Sequence, residues 1–268
     1  MIEFKELSYQ YPKQNHPALN ELTFSIPESS YTCLLGQNGS GKSTLARLMN
    51  GLRLPSKGAL LDTRDSSKIR TIRKSIGLVF QNPSSAMVSS TVFDEVSFGP
   101  ANLGLDKEEI IKRVDQSLDL VGLKDKLLMN PEHLSGGEKQ RLMIASVLVM
   151  QPKYLILDEP FSMLDIQNKG YILDVLKRIH AKGTAIVLIT HNLMDALDAQ
   201  RFIVLKKGRI ALDCAKDELL DSYESLQEEE LLSHPYLNLQ TKLIEHGIGL
   251  QAFKTPKALL AEVLKGRS

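Results

Sequence analysis

Apolar and polar residues alternate through residues 2–27, with aromatic side chains at Phe4, Tyr9, Tyr11 and Phe24. A period of two over this length predicts antiparallel strands, joined by a polar turn at residues 13–17. Tyr31–Leu35 is a short β-rich run ending at Gly36; a glycine-rich loop then leads into a helical spacing of Leu45, Leu48 and Met49, stopped by Gly51. Residues 76–81 read as another short strand. Farther on, Ile110, Ile111, Val114, Leu118 and Val121 recur at helical spacing, with Asp106 and Glu109 as N-cap and N3 partner and Gly122 as the stop. Residues 135–150 predict a further helix.

Two runs, residues 154–157 and 185–189, are apolar without alternation, the pattern of strands buried on both faces of a parallel sheet. Between them Tyr171, Leu173, Val175, Leu176 and Ile179 predict a crossover helix. Strand, glycine-rich loop, helix, helices, strand, helix, strand is the order of a doubly wound α/β core. After Gly208 the character changes. Residues 217–232 are acidic and helical in pattern, His234 and Pro235 interrupt them, and a last helix is expected from Thr255 as N-cap with Pro256 at N1.

Composition removes several classes of function. With 268 residues, 43% hydrophobic and 24% charged, the chain has material for a large core and is not a disordered protein. Lys and Arg number 33 against 32 Asp and Glu, a net +1, so no overall basic field draws nucleic acid. No stretch approaches the roughly 18 apolar residues of a spanning helix, and the opening MIEFKELSYQYP lacks the apolar segment of a secretory signal. Two distant cysteines, Cys33 and Cys214, make neither a disulfide framework nor a zinc site, and a cytosolic setting is expected.

Candidate chemistry begins at Gly36-Gln37-Asn38-Gly39-Ser40-Gly41-Lys42-Ser43, which fits G-x-x-x-x-G-K-[ST] between a strand and a helix. Glycines at these places let backbone N–H groups converge on phosphate oxygens, and the helix N-terminus adds partial positive charge. Lys42 is placed to reach the β- and γ-phosphates and the Ser43 hydroxyl to ligate Mg²⁺, with Thr44 next to it in the nucleotide-binding set. Leu155-Ile156-Leu157-Asp158-Glu159 sets two carboxylates at the end of a buried strand, the edge where α/β sheets hold ligands. Asp158 is the candidate Mg²⁺ holder and Glu159 the candidate general base for an attacking water. These residues together predict an ATP·Mg²⁺ site.

Leu134-Ser135-Gly136-Gly137-Glu138-Lys139-Gln140-Arg141 reads locally as a capping box, Ser135 at N-cap and Glu138 at N3, with two glycines leaving N–H groups open to an anion. Here the sequence resembles the ATP-binding-cassette (ABC) ATPases, whose signature is LSGGQ. The resemblance implies that Ser135, Gly136 and Gly137 act in trans, closing over the γ-phosphate held by the phosphate loop of a second cassette. Glu138 stands where that signature has Gln and is expected to bring a charge near the phosphate, affecting rate more than fold. The resemblance further implies an adenine-stacking role for Tyr11, Mg²⁺ sensing by Gln81, a γ-phosphate contact for His191 and a dimer-crossing loop at Ser162-Met163-Leu164-Asp165. It covers about residues 2–212. The fold it implies is a RecA-like parallel-sheet core with an N-terminal antiparallel β-subdomain and a helical subdomain. The nucleotide-binding domain is then 1–215, its helical part about 83–151, and a C-terminal extension follows over 216–268.

Within that family, Val79-Phe80-Gln81-Asn82-Pro83, the stretch from Thr91 to Pro100 and Ser162-Met163-Leu164-Asp165 are similar to segments of the ATPases of energy-coupling-factor (ECF) transporters. That likeness implies an importer of vitamins or trace-metal ions. It also implies partners: a second, non-identical ABC ATPase paired through the C-terminal extension, a transmembrane coupling protein and a small substrate-binding membrane protein. The chain would then lie at the cytoplasmic face of the membrane. An ATPase of another ABC importer, and a non-transport ABC ATPase, are the alternatives.

Overall fold

The computed structural model describes residues 1–60, 66–82, 87–162, 164–221 and 226. The alternating N-terminal segment forms β1 (Ile2–Tyr9) and β2 (Leu19–Ile26), which pair antiparallel with Phe4 opposite Phe24. Those two rings stack at 4.1 Å and 6°, a cross-strand aromatic pair that holds the first part of the pairing, whose register shifts between Phe4 and Leu7 and again before Tyr9. A third strand, Lys57–Leu60 (β4 in chain order), pairs with the other edge of β1 and has no counterpart among the sequence expectations.

The second sheet has six strands. They are β3 (Tyr31–Leu35), β5 (Ile76–Val79), β6 (Tyr154–Asp158), β7 (Ala185–Ile189), β8 (Arg201–Lys206) and β9 (Arg209–Ala215), in the order β5-β6-β7-β3-β8-β9. All neighbours are parallel except β8 and β9. Every residue of β3, β6 and β7 is buried, as unalternating apolar runs require. Successive side chains of β6 enter different cores: Leu155 and Leu157 pack with the helices, Ile156 with the antiparallel sheet. The change of character after Gly208 is therefore an antiparallel edge strand, β9, that begins inside the core sheet. The strand expected over 76–81 ends at Val79, leaving Phe80 and Gln81 in the following loop.

The helices are α1 (Lys42–Met49), α2 (Ser66–Ser75), α3 (Val92–Asn102), α4 (Lys107–Leu120), α5 (Gly136–Leu148), α6 (Ile166–Ala181) and α7 (Glu218–Asp221). Asp106 caps α4 by accepting from the Glu109 N–H at 2.9 Å. Ser135 and Glu138 form the reciprocal box that starts α5. Helix α6 is the crossover between β6 and β7, with Ile172, Val175, Leu176 and Ile179 buried against the sheet. Of the helical expectation over 217–232, only 217–221 and 226 are described; they hold α7, with Leu219 and Leu226 buried, and the rest lies outside the described residues. The His234-Pro235 break and the Thr255 helix lie outside the described residues, as do Pro83 and Met163.

Candidate functional site

Strands β3, β5, β6 and β7 run parallel in register, so their carboxyl ends share one edge. Leu34 and Asp158 both lie opposite Ile189, and Val79 lies opposite Leu157. The phosphate loop leaves β3, Gln81 follows β5, Glu159 follows β6 and His191 follows β7. Four segments separated in sequence thereby converge on one cleft of about 520 Å³, lined by Asn38, Gly39, Gly41, Lys42, Ser43, Thr44, Gln81, Glu159 and His191 together with Tyr11.

The loop's backbone is built by its glycines. Gly36, Gly39 and Gly41 have φ of 148°, 80° and 109°. A Cβ on Gly36 would strike the Leu205 carbonyl oxygen, and one on Gly41 would come within 2.8 Å of the Ala18 carbonyl oxygen. At Gly39 a Cβ meets nothing within 4 Å, so the loop arches over open space. The Ser40 hydroxyl is buried and unpartnered beside this arch. Lys42 is buried and donates from Nζ to the Gly36 and Gln37 carbonyl oxygens at 2.6 and 3.0 Å, using two of its three N–H groups. Burial lowers its pKa, while Glu159 and Asp158 oppose that shift.

Ser43 Oγ donates to Asp158 Oδ1 at 3.0 Å, so hydroxyl and carboxylate meet at the first turn of α1. Burial raises the Asp158 pKa against the pull of Ser43, Arg47 and Lys42. A half-buried oxygen pair of this kind suits a hard divalent cation, whose charge would oppose the shift on Asp158. Glu159 adopts φ of 51°, rare for a side chain with a Cβ, and its N–H donates to the Ile189 carbonyl at 2.9 Å. Its carboxylate oxygens lie 3.0 and 2.9 Å from His191 Nδ1. The two residues are thus joined in one hydrogen-bonded pair. An Nδ1–H donated to Glu159 leaves Nε2 of His191 for another partner.

Tyr11 also lines the cleft, its hydroxyl sharing a hydrogen bond of 3.0 Å with Thr44 Oγ1 on α1. Gln14, His16 and Pro17 of the turn between β1 and β2 also line the cleft. The sequence marks that turn only as a connection, since nothing local says which face it covers.

Ser135, Gly136 and Gly137 are not among the residues lining this cleft; they form the N-terminus of α5. Gly136 is exposed, and a Cβ there meets nothing within 4 Å, whereas a Cβ on the buried Gly137 would land on the Asn168 side chain of α6. The two glycines therefore answer different needs. Glu138 keeps the capping geometry expected of it, and its carboxylate is bound by Lys126 and by the N–H and hydroxyl of Ser135, the last two at 2.9 Å. The Lys126 hydrogen bond and then the Ser135 N–H hold its pKa at about 2. Its place in the helix start gives it a part in the fold as well.

A phosphate loop on the carboxyl edge of a parallel sheet, with two carboxylates at the end of β6, separated from β3 by β7 alone, defines a P-loop nucleoside triphosphatase. Residues 19–162 match the ABC transporter family. The chain is 42% identical over 231 residues to the energy-coupling factor transporter ATP-binding protein EcfA of Syntrophomonas wolfei, covering 84% of this chain and 85% of that one. It is 41% identical to the EcfA protein of Methanosarcina acetivorans, over 99% of this chain and 98% of that one. Among solved structures it is similar to cbiO1 of Clostridium perfringens, part of the ABC transporter complex cbiONQ, with TM-score 0.76, 34% identity and coverage of 93% and 98%. A dimeric post-hydrolysis ATP-binding cassette, MJ0796 with ADP and Pi, matches at TM-score 0.72 and 27% identity, over 80% of this chain and 98% of that one. The chain belongs to the ABC transporter family, among the ATP-hydrolysing subunits of energy-coupling-factor transporters.

Proposed function

We propose that this ATPase works as one of two paired cassettes that drive a membrane coupling protein, importing a vitamin or trace-metal ion captured by a small substrate-binding membrane protein. The observation that carries the reading is the convergence of Lys42, Asp158, Glu159 and His191 on one cleft at the sheet's carboxyl edge. The relatives' names point to the ECF class, and the dimeric cassette MJ0796 supports pairing. Among the described residues no helix is long and apolar enough to cross a membrane, in keeping with attachment to the cytoplasmic face through partners. Residues 216–268 are the proposed pairing unit.

In this reading the loop N–H groups and Lys42 hold the β- and γ-phosphates, and Tyr11 stacks on the adenine. Ser43 and Asp158 hold Mg²⁺, with Gln81 sensing it; the ion supplies charge neutralisation at the phosphates. Glu159 polarises the attacking water, and His191 orients Glu159 through Nδ1 while Nε2 reaches the γ-phosphate. Ser135, Gly136 and Gly137 of the second cassette complete the site.

Two experiments test the reading. Glu159→Gln is expected to lower ATP turnover by about 10²-fold or more while ATP still binds and the dimer accumulates in gel filtration; near-wild-type hydrolysis refutes the base assignment. Purification from native membranes in mild detergent, with mass spectrometry, is expected to recover a second cassette, a coupling protein and small membrane proteins. Recovery of an ordinary permease pair refutes the ECF assembly.

A further inference from the structure

Arg53, in the loop after α1, lies over the ring of Tyr11 with its guanidinium carbon 4.8 Å from the ring centroid. The side chain is tethered. Its Nη1 donates to the Tyr9 hydroxyl at 2.7 Å, and its backbone N–H donates to the Arg47 carbonyl at 3.1 Å, closing the loop onto the end of α1. Tyr9 is buried and meets Tyr11 edge to face, with centroids 5.0 Å apart and planes at 89°. With the Thr44 hydrogen bond, the Tyr11 ring is therefore held at its hydroxyl, by the perpendicular Tyr9 ring and by the guanidinium over one face. Tyr11 lines the nucleotide cleft and Arg53 does not.

We propose that Arg53 is a positioning residue for the nucleotide base, backing the Tyr11 ring so that guanidinium, ring and base form a three-layer stack. The inference rests on the reading that Tyr11 stacks on adenine. Two effects follow from a cation behind the ring. It fixes the ring plane before the base arrives, so less rotational freedom is lost on binding. It also draws π density toward the guanidinium, which lessens repulsion between the π clouds of ring and base. Neither effect involves the triphosphate. Arg53 therefore selects for the presence of a base, whereas Lys42 and the loop N–H groups act on any polyphosphate.

That separation provides the test. Arg53→Met keeps much of the side-chain bulk and removes the charge; Arg53→Lys keeps the charge without the planar fork. For each variant, KM and kcat for ATP are measured together with the Ki of Mg²⁺-tripolyphosphate as a competitor, with Tyr11→Ala in parallel. Arg53→Met is expected to raise KM for ATP by about three- to fivefold, the size of one cation–π contact. Its kcat moves less than KM, its tripolyphosphate Ki stays put, and Arg53→Lys recovers part of the loss. An unchanged KM in Arg53→Met, or KM and Ki rising together, overturns the proposal. If Tyr11→Ala still weakens ATP selectively, the Tyr11 reading survives that result. If Tyr11→Ala weakens ATP and tripolyphosphate alike, the base-stacking reading fails and the Arg53 proposal with it.

Discussion

Adjacent glycines in the signature segment give a sharp test of the packing argument. Gly136 and Gly137 occupy N1 and N2 of α5, so replacing either by Ala brings a similar gain from the lower backbone entropy of the unfolded chain, about 0.4–1 kcal/mol. Their surroundings differ. The new methyl at 136 meets nothing within 4 Å, while the one at 137 overlaps Asn168 Cγ and comes within 2.9 Å of Asn168 Cβ. Ordinary carbon–carbon separation is about 3.5–4.0 Å, so Asn168 has to leave its rotamer and, because its Cβ stays in place, α5 and α6 also have to ease apart. Overpacking of this kind costs about 1–3 kcal/mol. Because the propensity gain cancels between the two variants, Gly137→Ala is expected to melt below Gly136→Ala by at least about 2 °C. The comparison is made by thermal denaturation in one buffer. Asn168→Ala removes Cγ but leaves Cβ, so in that background the gap narrows without closing. Equal melting temperatures for the two variants, or a gap indifferent to Asn168, refute the close approach of α5 and α6 as the reason for glycine at 137.

The remaining predictions concern charge. The Glu138 carboxyl has a folded-state pKa of about 2 against 4.5 ordinarily, so its contribution is fully present above pH 4.5 and is lost as pH falls toward 2. Glu138→Gln is accordingly expected to destabilise by about 1 kcal/mol at neutral pH, with the difference shrinking across that acid window in paired melting curves; a constant difference refutes the assignment. Asp195, whose side chain is 6% exposed, is paired with Lys169 of α6, 27% exposed, and accepts from Thr190 Oγ1 at 3.3 Å. Lys169→Met strands the buried carboxylate and should cost about 3 kcal/mol. Asp195→Asn leaves an ammonium that can turn toward water and should cost about 1 kcal/mol. Denaturant titration giving the reverse order refutes the pairing as the source of stability.

Contiguous features were legible without the fold. The phosphate loop is one stretch because backbone N–H groups that converge on one phosphate have to come from neighbouring residues, so Gly36–Ser43 announces itself. The caps at Asp106 and Ser135 are equally local, each a side chain meeting a backbone group three residues on. The two fully apolar runs declare a sheet covered on both faces. Strands β4, β8 and β9 were not anticipated, since a short strand is defined by its partners, and β9 alternates exposed residues with ones that are mostly only half-buried.

Tertiary structure decided everything that joins distant segments. In-register parallel pairing brings His191 to Glu159 and Ser43 to Asp158, across 32 and 115 residues. Local pattern alone assigns no partner to a lone histidine after an apolar run; family likeness implied a role to expect of it, and the sheet supplied its neighbour. The charge expected of Glu138 was real, but Lys126, twelve residues away, neutralises it, which no spacing rule foretells. The same holds for Gly137 against Asn168 and for Arg53 over Tyr11. Sequence by itself determines which groups a short stretch can offer, because backbone geometry restricts what neighbours can do. Which groups they meet is decided when distant elements pack, because that choice depends on the burial of all of them together.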